Sequence, residues 1–135
     1  MTMFYMTLDL KAKRLDWVRA GHDPAIMYDL NLDSFEELSG PGIALGVDDE
    51  CIYVNNEKNG FSGVQIIFLG TDGVWEAQNQ KGEMLGKGPI FDTIRKNSSS
   101  SAKQILDAIF TIVENFVGGA KIEDDITTVA IKINE

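Results

Sequence analysis

Hydrophobic positions alternate over residues 3–10, with Phe4, Met6, Leu8 and Leu10 on one face and Tyr5, Thr7 and Asp9 on the other. A period of two predicts a half-buried strand. Lys11, Ala12 and Lys13 form a polar turn, and Leu15, Trp17 and Arg19 resume the alternation, so the pair predicts a hairpin. Ala20-Gly21-His22-Asp23-Pro24 breaks the pattern as a turn, and residues 25–30 return to strand. Residues 39–42 read as a loop, residues 51–54 as a short strand that would bury Cys51, and residues 55–60 as a polar turn. Residues 64–69 are nearly all apolar, which predicts a central strand covered on both faces.

The second half carries the helical signals. Residues 74–77 read as the start of a short helix, and residues 89–96 as another. Ser101 followed by Gln104 fits a capping box. After it, Ile105, Ile109, Ile112 and Phe116 recur at helical spacing, with Leu106, Phe110, Val113 and Val117 alongside, until Gly118-Gly119 supplies a stop. A final strand places Val129, Ile131 and Ile133 on one face and Thr128, Ala130 and Lys132 on the other. Many strands in hairpin order with two or three helices predict an α+β fold with a mainly antiparallel sheet.

Composition narrows the function. A chain of 135 residues suits one domain or most of one. Its net charge of −9 argues against nucleic acid as a partner, since phosphate backbones attract basic surfaces. No apolar run is long enough to span a bilayer, and the N-terminus lacks the pattern of a secretory signal; the cytoplasmic setting expected here comes from the single cysteine, with membrane attachment of the parent protein left open. The single cysteine, Cys51, cannot form an internal disulfide and gives no zinc spacing. With one histidine, His22, and no GxSxG turn, a Ser-His-Asp or Cys-His mechanism has little to work with.

Two acidic loops sit at the ends of apolar strands: Thr71-Asp72-Gly73 after residues 64–69, and Asp124-Asp125-Ile126-Thr127 before the last strand. Strands lying side by side would let both loops reach one hard cation, which prefers oxygen ligands drawn from several segments. Asp-Gly after a strand is also an ordinary turn, and an acidic pair before a strand is also an ordinary solvated loop. The residues alone leave both readings open.

The order of segments resembles the second half of the SpoIIE/RsbU type of PP2C-like protein serine phosphatases. MFYMTLDLKAKRLDWVRAGHDPAIMYD is similar to that family's strand, hairpin and "NAGH-P" turn, and GIALGV to its "LPLGV" segment. VQIIFLGTDGVWEAQNQKGEMLG is similar to its strand and "TDGVTEARN" region, and EDDITTVAIKI to its closing "DDDIT" strand. Each motif is short, but their order and separations agree along nearly the whole chain. The chain departs at Gly70, where a tyrosine is usual, at Trp75, where threonine is frequent, and at Gln80-Lys81, which replaces a Pro-Asp turn.

The resemblance implies a PP2C-like β-sandwich with flanking helices. It also implies two Mn2+ or Mg2+ ions held mainly by aspartates, and attack by an activated water on phosphoserine or phosphothreonine without a covalent enzyme intermediate. Carried over by position, Asp72 and Asp124 would be ligands of one metal, Asp125 would stand just outside it, Gly73 would allow close approach, and His22 would organise its turn. The implied substrate is a phosphorylated STAS-type anti-anti-sigma protein in partner-switching control of signalling.

Nothing in residues 1–35 resembles the family's "GDxxD" or "GDVSGHG" segments, which supply further metal ligands. Residues 1–135 are therefore expected to be the C-terminal portion of one such domain, weak or inactive alone, with a homodimer through an exposed sheet edge. Two alternatives stand beside this reading. One is a non-catalytic pseudophosphatase that docks such a partner. The other is a haloacid-dehalogenase-type phosphotransferase, disfavoured because Gly70 stands where its D-x-D-G motif needs the nucleophilic aspartate.

Overall fold

The computed structural model describes residues 1–120 and 125–134. Seven strands form two antiparallel sheets. β1 (Met3–Asp9), β2 (Arg14–Ala20) and β5 (Asn56–Asn59) make a three-stranded sheet in the order β1-β2-β5. β3 (Ala25–Asp29), β4 (Ser34–Leu38), β6 (Gln65–Gly70) and β7 (Thr128–Ile133) make a four-stranded sheet in the order β4-β3-β6-β7. Two helices, α1 (Gly88–Lys96) and α2 (Ala102–Val117), complete the set, with a 3-10 turn at Asp72–Val74.

The period-two pattern decides which residues go where. On β6, Ile66 and Phe68 face the helices, whereas Ile67 and Leu69 face the other sheet. β3 divides in the same way, with Ile26 and Tyr28 toward the helices and Ala25 and Met27 toward the sheet. The outcome is three layers: sheet, sheet, helices. Leu15, Trp17, Met27, Leu38 and Ile67 fill the space between the sheets, and Ile105, Ile109, Val113 and Val117 form the α2 stripe laid on the second sheet. The expected central strand is thus covered on both faces, as its continuous apolar run requires.

Local chemistry sets the ends of the elements. The Ser101 hydroxyl accepts the Gln104 amide at 3.3 Å, while the Gln104 side-chain oxygen accepts the Ser101 amide at 2.9 Å, so the expected capping box is formed. Gly118 ends α2 in the left-handed region at φ 58. The β1–β2 and β3–β4 hairpins turn alike: the Asp9 carboxylate accepts the amides of Lys11 and Ala12, and the Asp29 carboxylate those of Asn31 and Leu32.

Three expectations fail. Residues 74–77 do not start a helix, because the chain makes only a 3-10 turn at Asp72–Val74 before it leaves helical geometry. Residues 51–54 are not a strand: Ile52 is 84% exposed and Cys51 is only half-buried. The strand lies in the polar segment that follows, β5, which was expected to be a turn. Its four residues are held by backbone pairing with β2 and not by burial. β4 carries no alternation in SFEEL, because Phe35 packs toward the helices, Leu38 packs between the sheets, and two glutamates lie between them.

Candidate functional site

Three connections meet at one end of the sandwich. β6 and β7 are antiparallel neighbours with Gly70 paired to Thr128, so the segment leaving β6 and the segment entering β7 emerge together. Thr71 joins them. Its amide donates to the Thr127 carbonyl at 3.0 Å, its hydroxyl donates to the Asp125 carbonyl at 2.9 Å, and the same hydroxyl accepts the Thr127 amide at 3.1 Å. The third connection is the β2–β3 turn bearing His22. Thr2, Gly21, His22, Asp23, Thr71 and Asp72 line an open cleft of about 100 Å³.

Asp72 itself is exposed. Its Oδ1 accepts the Gly73 amide at 3.0 Å, and its carbonyl accepts the amides of Trp75 and Glu76 at 3.1 and 2.9 Å, so the backbone fixes where the carboxylate points. Gly73 is buried beneath it. Two of the departures from the family pattern prove to be one feature. A Cβ on Gly70 would come within 3.1 Å of the Trp75 ring and 3.2 Å of Val74 Cγ2, so Trp75 and Val74 crowd the space that a side chain at position 70 would enter.

The turn carrying His22 is tightly held. The Arg19 guanidinium donates to the His22 carbonyl and, at 3.0 Å, to the Gly40 carbonyl. The Gly21 amide donates to the Gly42 carbonyl at 3.2 Å. At Gly21 φ is +70, and a Cβ there would meet the Ala44 amide nitrogen at 2.6 Å, so only glycine fits. His22 Nδ1 lies 2.9 Å from the Asp23 carbonyl oxygen, a pure acceptor, so Nδ1 is the donor in this contact. Phe4 meets the ring edge-on at 6.5 Å.

The structure brings Asp72, Gly73 and His22 to one end, together with the backbone of Asp125. Asp124 lies outside the described residues. Thr71, Thr2 and Asp23 were not singled out from the sequence, although Thr71 belongs to the Thr-Asp-Gly signal itself. The cleft lining holds two carboxylates and two hydroxyls but neither lysine nor arginine. Hard oxygen donors of this kind suit Mn2+ or Mg2+. Among the described residues no three His, Cys, Asp or Glu side chains are grouped closely enough to hold a metal.

The sequence matches the family described as Stage II sporulation protein E (SpoIIE) over residues 1–134. It is 24% identical over 131 residues to the phosphoserine phosphatase RsbU of Bacillus subtilis, covering 97% of this chain and 38% of that protein. The fold is similar to the SiaA-PP2C domain of Pseudomonas aeruginosa, with a TM-score of 0.83 at 21% identity, covering 98% of this chain and 52% of the other. It is also similar to the Mn-presoaked phosphatase domain of SpoIIE from Bacillus subtilis, with a TM-score of 0.72 at 16% identity, covering 98% and 56%. The chain therefore spans about half of these solved domains and well under half of RsbU.

Proposed function

The chain belongs to the SpoIIE family of PP2C-like phosphatases, and from that membership we propose that it is the C-terminal portion of a metal-dependent protein serine/threonine phosphatase domain. The observation that carries this reading is the Thr71 junction. It fastens the Asp72 loop to the segment that begins at Asp125, one residue after Asp124.

In this reading Asp72 and Asp124 are the metal ligands, Gly73 leaves room beside them, and Asp125 stands just outside. His22 holds the neighbouring turn in shape. A hard divalent cation, Mn2+ or Mg2+, would supply Lewis acidity there, neutralising phosphate charge and making water a stronger nucleophile. The protein's own part is orientation. The Gly73 amide aims the Asp72 carboxylate, and the Thr71 contacts keep the two loops in register. The cleft is open, which suits a phosphorylated side chain presented by another folded protein.

The substrate is read as phosphoserine or phosphothreonine on an STAS-type anti-anti-sigma protein, in a cytoplasmic partner-switching circuit. Two carboxylates are fewer than a dinuclear centre needs, so turnover by the 135-residue chain alone is expected to be weak or absent. The second reading is a non-catalytic module that docks the same partner.

A calorimetric Mn2+ titration of the chain and of an Asp72→Asn, Asp124→Asn double variant tests the metal reading. Weak binding that disappears in the variant supports it. Binding unchanged in the variant would overturn the assignment of these two aspartates. Robust Mn2+-dependent release of phosphate from a phosphoserine substrate by the pure chain would overturn the expectation of weak activity and exclude the docking-only reading.

A further inference from the structure

Asn59 ends β5 and is followed by Gly60, and no other asparagine in the chain precedes a glycine. The pair has a chemistry of its own. The amide nitrogen of the next residue can attack an asparagine carboxamide, and a side chain on that residue hinders the approach, so glycine is the readiest successor. At Gly60 φ is +72, and nothing beyond its chain neighbours lies within 4 Å of the place a Cβ would take.

The fold guards this pair with hydrogen bonds. The Gly60 amide donates to the Lys13 carbonyl at 2.9 Å, which ties the attacking nitrogen to the β1–β2 turn. Asn59 Nδ2 donates to Glu57 Oε1 at 3.1 Å, which holds the carboxamide along the strand. Neither guard is buried, since Glu57, Asn59 and Gly60 are all exposed. Asn59 is also the last rung of a four-residue polar strand, opposite Arg14 and on the far side of β2 from β1. Strand ends held by exposed backbone bonds open at little cost in free energy.

We propose that Asn59 is a site of spontaneous deamidation, opened by fraying of β5 from β2. When the bond to Lys13 breaks, the Gly60 amide loses its proton to base and its nitrogen attacks Asn59 Cγ. A C–N bond forms, the Cγ–Nδ2 bond breaks, and Nδ2 leaves as ammonia with a proton from water. Water then opens the cyclic imide at either carbonyl, leaving aspartate or isoaspartate at position 59. Nothing is oxidised or reduced.

The product does not settle back into the strand. Isoaspartate adds a carbon to the backbone, which shifts the Gly60 amide away from the Lys13 carbonyl. Either product sets a carboxylate beside Glu57, where the carboxamide donated a hydrogen bond. Arg14, across the pairing, already holds Asp16 at 2.5 Å and lies 3.7 Å from Glu57. The modification therefore keeps the end of β5 open, and it does not depend on the phosphatase reading.

The test is incubation of the chain in alkaline buffer, folded and in guanidinium chloride, beside an Asn59→Gln variant. Digestion with a glutamate-specific protease in mildly acidic buffer, followed by peptide fragmentation, locates the mass gain of hydroxyl in place of amine. In the folded chain the gain should appear first at Asn59, quicken as pH rises, and be absent from that position in the variant. Unfolding should accelerate it roughly tenfold, the factor that an opening cost of about 1.4 kcal/mol imposes. The modified chain should exchange the amides of residues 56–60 faster than the unmodified one. No gain at Asn59 in the folded chain after the unfolded chain has converted would overturn the site. Equal rates in the two states would overturn the fraying step, and an earlier gain at another asparagine would overturn the choice of residue.

Discussion

Along one margin of the sandwich, Lys58 on β5 meets Glu36 on β4 at 2.5 Å, and the Trp17 indole donates to the Ser39 carbonyl at 2.8 Å, so the two sheets are joined where they end. Along the other margin, formed by β1 and β7, Phe4, Met6, Leu8, Leu69 and Ile131 are left half-buried, and Val129 is 49% exposed. One margin is finished by polar groups, while the other ends on unfinished apolar packing. The comparison teaches that the same inter-sheet core is complete on one side and open on the other. The chain spans about half of the solved domains it resembles, and the open side is a property of residues 1–135 by themselves.

The largest expected effect comes from one cross-strand pair. Leu15 and Leu8 are directly opposite on β2 and β1 and point into the same core, yet Leu15 is fully buried and Leu8 is not. Leu15→Ala should cost about 2–5 kcal/mol in urea unfolding, because it removes apolar area and leaves a cavity. Leu8→Ala should cost roughly 1–2 kcal/mol at low protein concentration, where its outer side is wet. Equal costs at high dilution would mean that the margin is not open.

A smaller effect separates the margins by pH. Asp29, at the end of β3, shares its carboxylate with the Gln65 side chain at 2.9 Å and with two turn amides. Burial pushes its carboxyl up, but the hydrogen bonds from Gln65, Leu32 and Asn31 and the charge of Lys58 outweigh it, holding it below the usual range. A carboxyl depressed in the folded chain adds stability that is fully present above its unfolded value of about 4 and is lost as pH falls through the lower folded value. The urea midpoint should therefore drop on acidification below about pH 4, and drop less in Asp29→Asn. An equally steep drop in the variant would mean that Asp29 contributes nothing to this margin's acid sensitivity.

The same contrast explains what could be read from the sequence. The sandwich strands that bury a face, β1, β2, β3, β6 and β7, carry a period or an apolar run, and those segments were legible. The polar margin was not. β5 is Asn-Glu-Lys-Asn and is held by backbone pairing, so a pattern that reports burial is silent there. Residues 51–54 misled for the opposite reason, being apolar yet exposed. At the candidate site, Asp72 and Gly73 were visible through the Thr-Asp-Gly signal. The part played by the Thr71 hydroxyl was not, because it bonds to residues more than fifty positions away. Nor was the crowding of Gly70 by Trp75 and Val74, which is a matter of packing.

The smallest expected effect concerns the ion pair that marks the closed margin. Lys58 and Glu36 have side chains 33% and 52% exposed, so water and salt screen their attraction. A double-mutant cycle with Lys58→Ala and Glu36→Ala should give a coupling of about 0–1 kcal/mol, shrinking further in high salt. A value of roughly 2 kcal/mol or more, outside the range of exposed pairs, would mean that charge holds this margin shut. The expected small value assigns the closure instead to the buried neighbours of the pair: Leu38 at 0% exposure and Trp17 with its indole hydrogen bond. In that case the ion pair serves to keep the edge polar, which is the property β1 lacks.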